Sequence, residues 1–345
     1  MPDAKSPHTP ARLKMADIAR LADVSVSTVS RALAGNPLIP KESRDKIEAI
    51  ARQHGYVVNH AARNLRMQIT RTIGLVLPAA GDGGQHVTDP FLLEIIGHLS
   101  DEVVSRDHDL LLTRVSTPNE GWLHQLVQSH RFDGMIVLGQ SDQHAALNEM
   151  ADRYRPMVVW GEKLPDQRYC SVGADNVLGG RLATEHLIAT GRRRIQFIGP
   201  VHVPEVASRY LGYRQALQAA GLDADIAPAA SGFSDNSAYN AMRRLLAQKA
   251  EFDAVFAASD VIAHGAKRAF SDWGGQVPQD CALVGFDDVA MAKHLTPPLT
   301  TVRQDLRIAA RAMLDLLFKR IAGEDARSEV IPASLIVRDS TAARV

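Results

Sequence analysis

At 345 residues the chain is too long for one compact core and has room for a small module plus one or two larger lobes. Hydrophobic residues make up 46% and charged residues 23%, as in ordinary globular proteins, and no apolar run nears the roughly 20 residues that span a bilayer. The formal net charge of +0 hides an asymmetry: residues 1–70 carry 11 basic and 6 acidic side chains, the rest 28 and 33, so a basic module precedes an acidic body. That distribution predicts phosphate attraction at one end of the chain. Cys170 and Cys281 are far apart and lie in no metal-ligand spacing, so neither a metal nor a cofactor is expected. The opening MPDAKSPHTPARLK is Pro-rich without an apolar core, unlike a secretory signal, and a reduced cytoplasmic setting is expected, away from membranes. Residues 1–13 read as a disordered arm whose Lys5 and Arg12, with Lys14 beyond it, would touch phosphates.

Met15 to Arg31, MADIARLADVSVSTVSR, reads as two short helices around a turn. Ile18, Ala19 and Ala22 share one face of the first, and Val29 and Leu33 supply the matching face of the second. Ser25 has the chemistry of an N-cap, its hydroxyl accepting an orphan N–H near Thr28. The outer face then carries Val26, Ser27, Ser30 and Arg31, small polar groups and one Arg, the form that enters a DNA major groove. Lys41 to His54 reads as a third helix with Ile47, Ile50 and Ala51 inward and Gly55 as its stop. In YVVNHAARNLRMQ, Ala61, Ala62 and Leu65 would share one face of a two-turn helix that needs a symmetry mate or DNA to hold it.

From Thr72 the pattern changes. The apolar runs TIGLVLP, DLLLTRV, DGMIVLG and PMVVW alternate with segments of helical period, and RRIQFIG, FDAVFAASD and CALVGFDD repeat the arrangement. Such alternation predicts βαβ units with parallel sheets in two α/β lobes. The last helix, DLRIAARAMLDLLFKRIAG, and a strand EVIPASLIV follow PPLTT. The strand end after TIGLVLP holds Gly81, Gly83 and Gly84 at a spacing that fails G-x-G-x-x-G, and the chain has no G-x-S-x-G elbow or P-loop. Asp287-Asp288 is a carboxylate pair with no nucleophile or base in its motif, so turnover is not expected.

These stretches resemble the LacI/GalR family of transcriptional repressors nearly end to end. The likeness is carried by DIARLADVSVSTVSRAL, GYVVN…A-x-x-L, TIGLVLP, FDGMIVLG and DNVLGG…HLIATGRRRIQFIG, then by SRYLGYRQALQAAGL, FAASDVIAHGAKRAF, LVGFDDVAMA and PPLTTVRQD. The resemblance implies an arm over 1–13, a helix-turn-helix domain over 14–58 and a hinge helix with linker over 59–70. An effector-binding and dimerisation domain over 71–345 would follow, like a two-lobed periplasmic-binding-protein-like fold. Its lobes would be discontinuous, one near 71–172 and 303–326, the other near 173–300 and 327–340. It further implies base reading by Val26 and Ser27, phosphate and base contacts by Ser25, Thr28, Ser30, Arg31 and Ser43, and hinge contacts by Asn59, Ala62, Leu65 and Arg66. Leu65 matches the leucine that wedges into the minor groove. Four departures from the pattern are Asp23 for Gly, Ala34 for Asn, Pro40 for Ser and Val58 for Pro.

Ligands of open α/β lobes bind at the carboxyl ends of strands. The resemblance implies effector contacts from Arg209 and Asp287, with Ser259, Phe91, Phe233 and Gln304 beside them; Trp160 and Glu162 occupy another strand end. Ser259 is equally an N-cap, and Phe91 and Phe233 are equally core aromatics. The function implied is a homodimeric repressor of a pseudo-palindromic double-stranded operator, controlled by a small ligand that suits a sugar or sugar acid better than a purine. An activator or a co-repressor-dependent regulator of the same fold is the alternative. A nucleoid-type binder would leave the body unused, and a periplasmic binding protein would need a signal peptide.

Overall fold

A computed structural model describes residues 13–33, 36–54, 56, 69–78, 86–115, 121–140 and 142–342. The chain divides into two compact units, Met1–Ile69 and Thr70–Val345. Residues 1–12 of the arm and the expected hinge residues Asn59, Ala62, Leu65 and Arg66 lie outside the described residues, as do Ala34, Gly55 and Val58.

In the first unit, α1 (Met15–Ala22), α2 (Val26–Leu33) and α3 (Lys41–Gln53) enclose a core of Ile18, Ala19, Ala22, Val29, Ala32 and Ile47. At the start of α1, Asp17 Oδ2 accepts the Lys14 N–H at 2.9 Å. Its end is made by Asp23 at φ 57°, a left-handed conformation that Asp tolerates and that turns the chain toward α2. The Ser25 hydroxyl then accepts the Thr28 N–H at 3.1 Å, the cap its position predicts. Pro40 offers α3 no side-chain cap, and the helix stops one residue earlier than expected, with His54 in the cap. Lys46 Nζ donates to the Ala22 carbonyl at 3.2 Å, tying α3 to the turn.

The second unit holds two sheets. β1 (Thr72–Pro78), β2 (Asp109–Val115), β3 (Gly134–Leu138), β4 (Met157–Trp160), β5 (Cys170–Ala174) and, far downstream, β10 (Glu329–Ile331) form a six-stranded sheet in the order β10-β5-β4-β3-β1-β2. Its helices are α4 (Pro90–Val104), α5 (Trp122–Gln128), α6 (His144–Arg153) and α11 (Leu306–Ile321); α4 packs on α11, which covers β3, β4 and β5. The other sheet joins β6 (Ile195–Ile198), β7 (Ala254–Ala257), β8 (Ala282–Asp287), β9 (Thr300–Arg303) and β11 (Ser334–Ile336) in the order β11-β9-β8-β7-β6. Helices α7 (Asn176–Ala189), α8 (Pro204–Ala219), α9 (Asp235–Ala247) and α10 (Asp260–Asp272) flank it. Every strand pairing is parallel except β11 with β9.

Three features depart from the reading of apolar runs. β5 and β9, CSVGA and TTVR, are too short and polar to stand out, yet both are buried because neighbouring strands and helices cover them. EVIPASLIV is not one strand: Glu329–Ile331 extends the first sheet, and Ser334–Ile336 pairs antiparallel in the second. Pro332 between them has no N–H to donate, so a ladder cannot run through it. The chain therefore leaves the first sheet at residue 332, not near 327.

Candidate functional site

On the first unit, Val26, Ser27 and Arg31 are exposed on α2, Val26 at 46% although apolar, and Lys14 is exposed before α1. Thr28, Ser30 and Ser43 are half-buried. Ser25 is already engaged: besides capping Thr28, its Oγ lies 2.7 Å from Ser27 Oγ and 2.8 Å from Thr28 Oγ1. A small-residue face with an apolar tip and one Arg suits contact with base edges in a major groove.

In the second unit the carboxyl ends of strands from both sheets converge on Arg209. It is buried on α8, and its place there depends on glycine. A Cβ at Gly212 would stand 2.0 Å from the Val177 carbonyl oxygen, and one at Gly180 would stand 2.0 Å from that of Arg209. The motifs LGG and LGY thus bring the backbones of α7 and α8 together. This seats Arg209 against Asn176, the first residue of α7: Nε donates to Asn176 Oδ1 at 2.9 Å. Nη1 donates to the Ala258 carbonyl after β7 at 2.5 Å, and the guanidinium carbon lies 3.8 Å from the centre of the Phe286 ring.

Asp287 ends β8 with φ 118°, and Asp288 follows at φ 56°. Side chains adopt such backbone only where surroundings impose it. Here Arg303 Nε at 2.7 Å and Arg338 Nη2 at 2.5 Å grip the Asp288 carboxylate. The turn aims Asp287 at Arg209, whose Nη1 is 3.9 Å from Oδ1, while Gln304 Nε2 donates to the same oxygen at 2.7 Å. Burial raises the Asp287 carboxyl to about 7, against the pull of Arg209 and with a further push from Asp89. Burial also lowers the Arg209 pKa, opposed first by Asp287 and then by Glu205, Glu162 and Asp260. Asp260, held by the Thr301 hydroxyl at 2.6 Å and the Val289 N–H at 3.0 Å, is raised well above the carboxylate range by burial and by Asp287.

Glu162 comes from the loop after β4. Its Oε2 accepts from Asn176 Nδ2 at 2.7 Å, and Glu205 stands in the first turn of α8. Burial raises both acids, and in Glu162 repulsion from Glu205 adds to it. Phe91 and Trp160 meet at 6.1 Å between ring centroids, and both are buried in the core of the first sheet beside Val289. The Ala290 N–H closes the other side, donating to Glu94 Oε1 at 2.5 Å.

Of the expected effector residues, then, Glu162, Arg209, Asp287 and Gln304 are in one polar cluster, and Phe91 and Trp160 form a pair. Ser259 caps α10, its hydroxyl accepting the Ile262 N–H at 3.2 Å. Phe233 stands apart, half-buried against the core of the second sheet. Asn176, Glu205 and Asp89 were not foreseen. Glu205 precedes Arg209 by one helical turn, a legible spacing, whereas Asn176 follows a strand too polar to notice.

Two parallel-sheet lobes with charged strand ends meeting at one buried Arg, encoded after a helix-turn-helix unit, define a ligand-responsive DNA-binding regulator. The family of bacterial regulatory proteins known as lacI matches residues 14–59, and the periplasmic binding protein-like domain matches residues 184–341. The chain is 34% identical to the HTH-type transcriptional regulator CelR of Thermobifida fusca over 94% of its own length and 96% of that protein's. It is 32% identical to the ribose operon repressor of Escherichia coli (strain K12), over 89% and 92% of the two chains. The lac repressor dimer bound to operator and the anti-inducer ONPF superposes with a TM-score of 0.84 at 25% identity, covering 96% of this chain and 99% of that one. A CelR–cellobiose complex gives a TM-score of 0.70 at 32% identity over 95% and 100%. The chain belongs to the lacI family of bacterial regulatory proteins.

Proposed function

We propose that this protein is a cytoplasmic, homodimeric transcriptional repressor whose operator affinity is set by a carbohydrate bound between its two lobes. The observation that carries the ligand reading is the Glu162–Asn176–Arg209–Asp287 chain, in which donors and acceptors from both sheets alternate as the hydroxyls of a sugar require. The relatives support it: CelR has been captured with cellobiose, and another is named for the ribose operon. Two copies of α2, related by a dimer axis, would read half-sites of a pseudo-palindrome through Val26, Ser27 and Arg31. Ligand contacts that alter how the two sheets meet would bias operator binding, typically by about 1–3 kcal/mol. Among the described residues no helix is long and apolar enough to cross a membrane.

Selection of operator sequences from a random pool, followed by titration of the best site with a carbohydrate panel, tests this reading. A pseudo-palindromic consensus and a ligand-dependent affinity are expected. Arg31→Ala should weaken the consensus site by about 1–3 kcal/mol with unfolding unchanged. An affinity indifferent to sequence would remove the repressor assignment.

A further inference from the structure

Where the second unit begins, the chain is fixed more firmly than the start of a strand requires. The β1–β2 ladder opens at Thr72, which pairs with Asp109, so Thr70 and Arg71 lie ahead of the sheet. Both are held nonetheless by the carboxylate of Asp133, the residue before β3. Its Oδ1 accepts the Thr70 N–H at 2.6 Å and the Thr70 hydroxyl at 2.9 Å, and its Oδ2 accepts the Arg71 N–H at 2.7 Å. The Asp133 N–H in turn donates to the Thr72 carbonyl at 2.8 Å. Donors that meet an ionised carboxylate make charge-assisted bonds, shorter and stronger than neutral ones.

The sequence around Asp133 explains why it stands there. Phe132 is buried on the backbone of β1, where a Cβ at Gly74 would come within 2.8 Å of Phe132 Cδ1, and this contact delivers the next residue to the start of the strand. Arg71 itself is left-handed, at φ 53°, a conformation that a residue with a side chain keeps only where contacts hold it. Asp133 takes its N–H, and its carbonyl accepts the Asp109 N–H at 2.8 Å. The kink extends no ladder, and the Arg71 side chain is exposed. What it fixes is the point from which the chain runs back to the helix-turn-helix unit.

Given the regulator reading above, we infer that Asp133 is a positioning residue for operator binding: it anchors Thr70 and Arg71 so that the two DNA-binding units of a dimer are tethered at fixed points. A bivalent protein gains over a single half-site through the effective concentration of its second unit, and slack in the tether dilutes that concentration. Residues set free must also be ordered again on the operator, at an entropic cost. Release of the anchor therefore acts on simultaneous occupancy of two half-sites and spares the reading of one.

The test is a fluorescence-anisotropy titration of the full chain on the operator selected by the parent protein and on DNA that carries one half-site. Asp133→Ala should weaken the full operator at least about tenfold and the half-site less than about twofold. Thr70→Val, which keeps the carboxylate and removes one donor to it, should weaken the full operator at least about threefold, while Thr70→Ser, which keeps the hydroxyl, should bind within about twofold of the parent. If Asp133→Ala does not fold, the two Thr70 variants decide alone. Full-operator affinity that does not move in Asp133→Ala or Thr70→Val overturns the inference, as do equal losses on the full operator and the half-site; either result leaves the regulator reading standing. A parent protein that selects no sequence removes the regulator reading and this inference with it.

Discussion

Asn176 Oδ1 accepts from Arg209 Nε while Asn176 Nδ2 donates to Glu162, so one amide joins the cationic centre of the site to a carboxylate from the opposite sheet. The whole arrangement depends on α7 and α8 approaching at glycine contact.

Asn176→Ala should weaken effector binding at least about tenfold, because it leaves a buried N–H of Arg209 without its acceptor. Ligand-free operator affinity should not move. Calorimetry for the effector and a gel-shift titration for the operator check both halves. Unaltered effector affinity would make the amide a bystander.

Gly212→Ala puts a methyl carbon 2.0 Å from the Val177 carbonyl oxygen, and backbone must shift to admit it. Stability should fall by about 1–3 kcal/mol, as in other overpacked cores. The displacement also moves Arg209 from Asn176, so effector affinity should drop with it. Thermal unfolding of the second unit and calorimetry measure the pair.

Asp287 gives the stability of the second unit a pH dependence of defined sign. Its carboxyl stands at about 7 in the folded chain against an ordinary value of 3.8. The folded state therefore holds a proton that the unfolded state has released, and stability should fall as pH rises from about 4 to about 7. Asp260, raised by burial and by the neighbouring Asp287, steepens the fall. Asp287→Asn should flatten the slope and gain most relative to the parent above pH 7. Denaturant titrations at pH 5 and pH 8 suffice; a parent that grows more stable toward pH 8 contradicts the assignment.

Ser25→Ala removes the acceptor of the Thr28 N–H. Loss of such a cap costs about 1 kcal/mol, and operator affinity should fall accordingly. Ser25→Asn, which also caps, should restore it. Failure of Asn to restore binding would make Ser25 a direct DNA contact instead.

Arg338 and Arg303 hold Asp288, and Asp288 sets the turn that aims Asp287. Arg338→Met leaves the Asp288 charge buried with one partner fewer and should destabilise the second unit by about 2–4 kcal/mol. Effector affinity should fall further than stability predicts, because the Asp287 backbone is released from its left-handed path. Paired unfolding and calorimetric titrations separate the two effects.

The sequence by itself determined what short-range chemistry can encode. Helical spacing placed Ile18, Ala22 and Val29 inward on α1 and α2, Ser25 announced its cap, Asp23 survived as a left-handed turn residue, and long apolar runs marked the buried parallel strands. Arg209 and Asp287 were readable through the family resemblance, although Arg209 lies inside α8, which begins at Pro204, and does not open it. The tertiary structure alone decided which sheet each short polar segment joins. CSVGA and TTVR become buried strands only because covered neighbours remove their backbone from water. Pro332 divides one apolar segment between two sheets, a consequence of a missing N–H that matters only once ladders exist. The partners of Arg209 were also decided there. Asn176 and Glu162 are distant from Arg209 in sequence, and the seating of Arg209 against Asn176 rests on two glycines that let backbone touch backbone. Those contacts, more than the identity of any one side chain, bring the ionisable residues of the two lobes together.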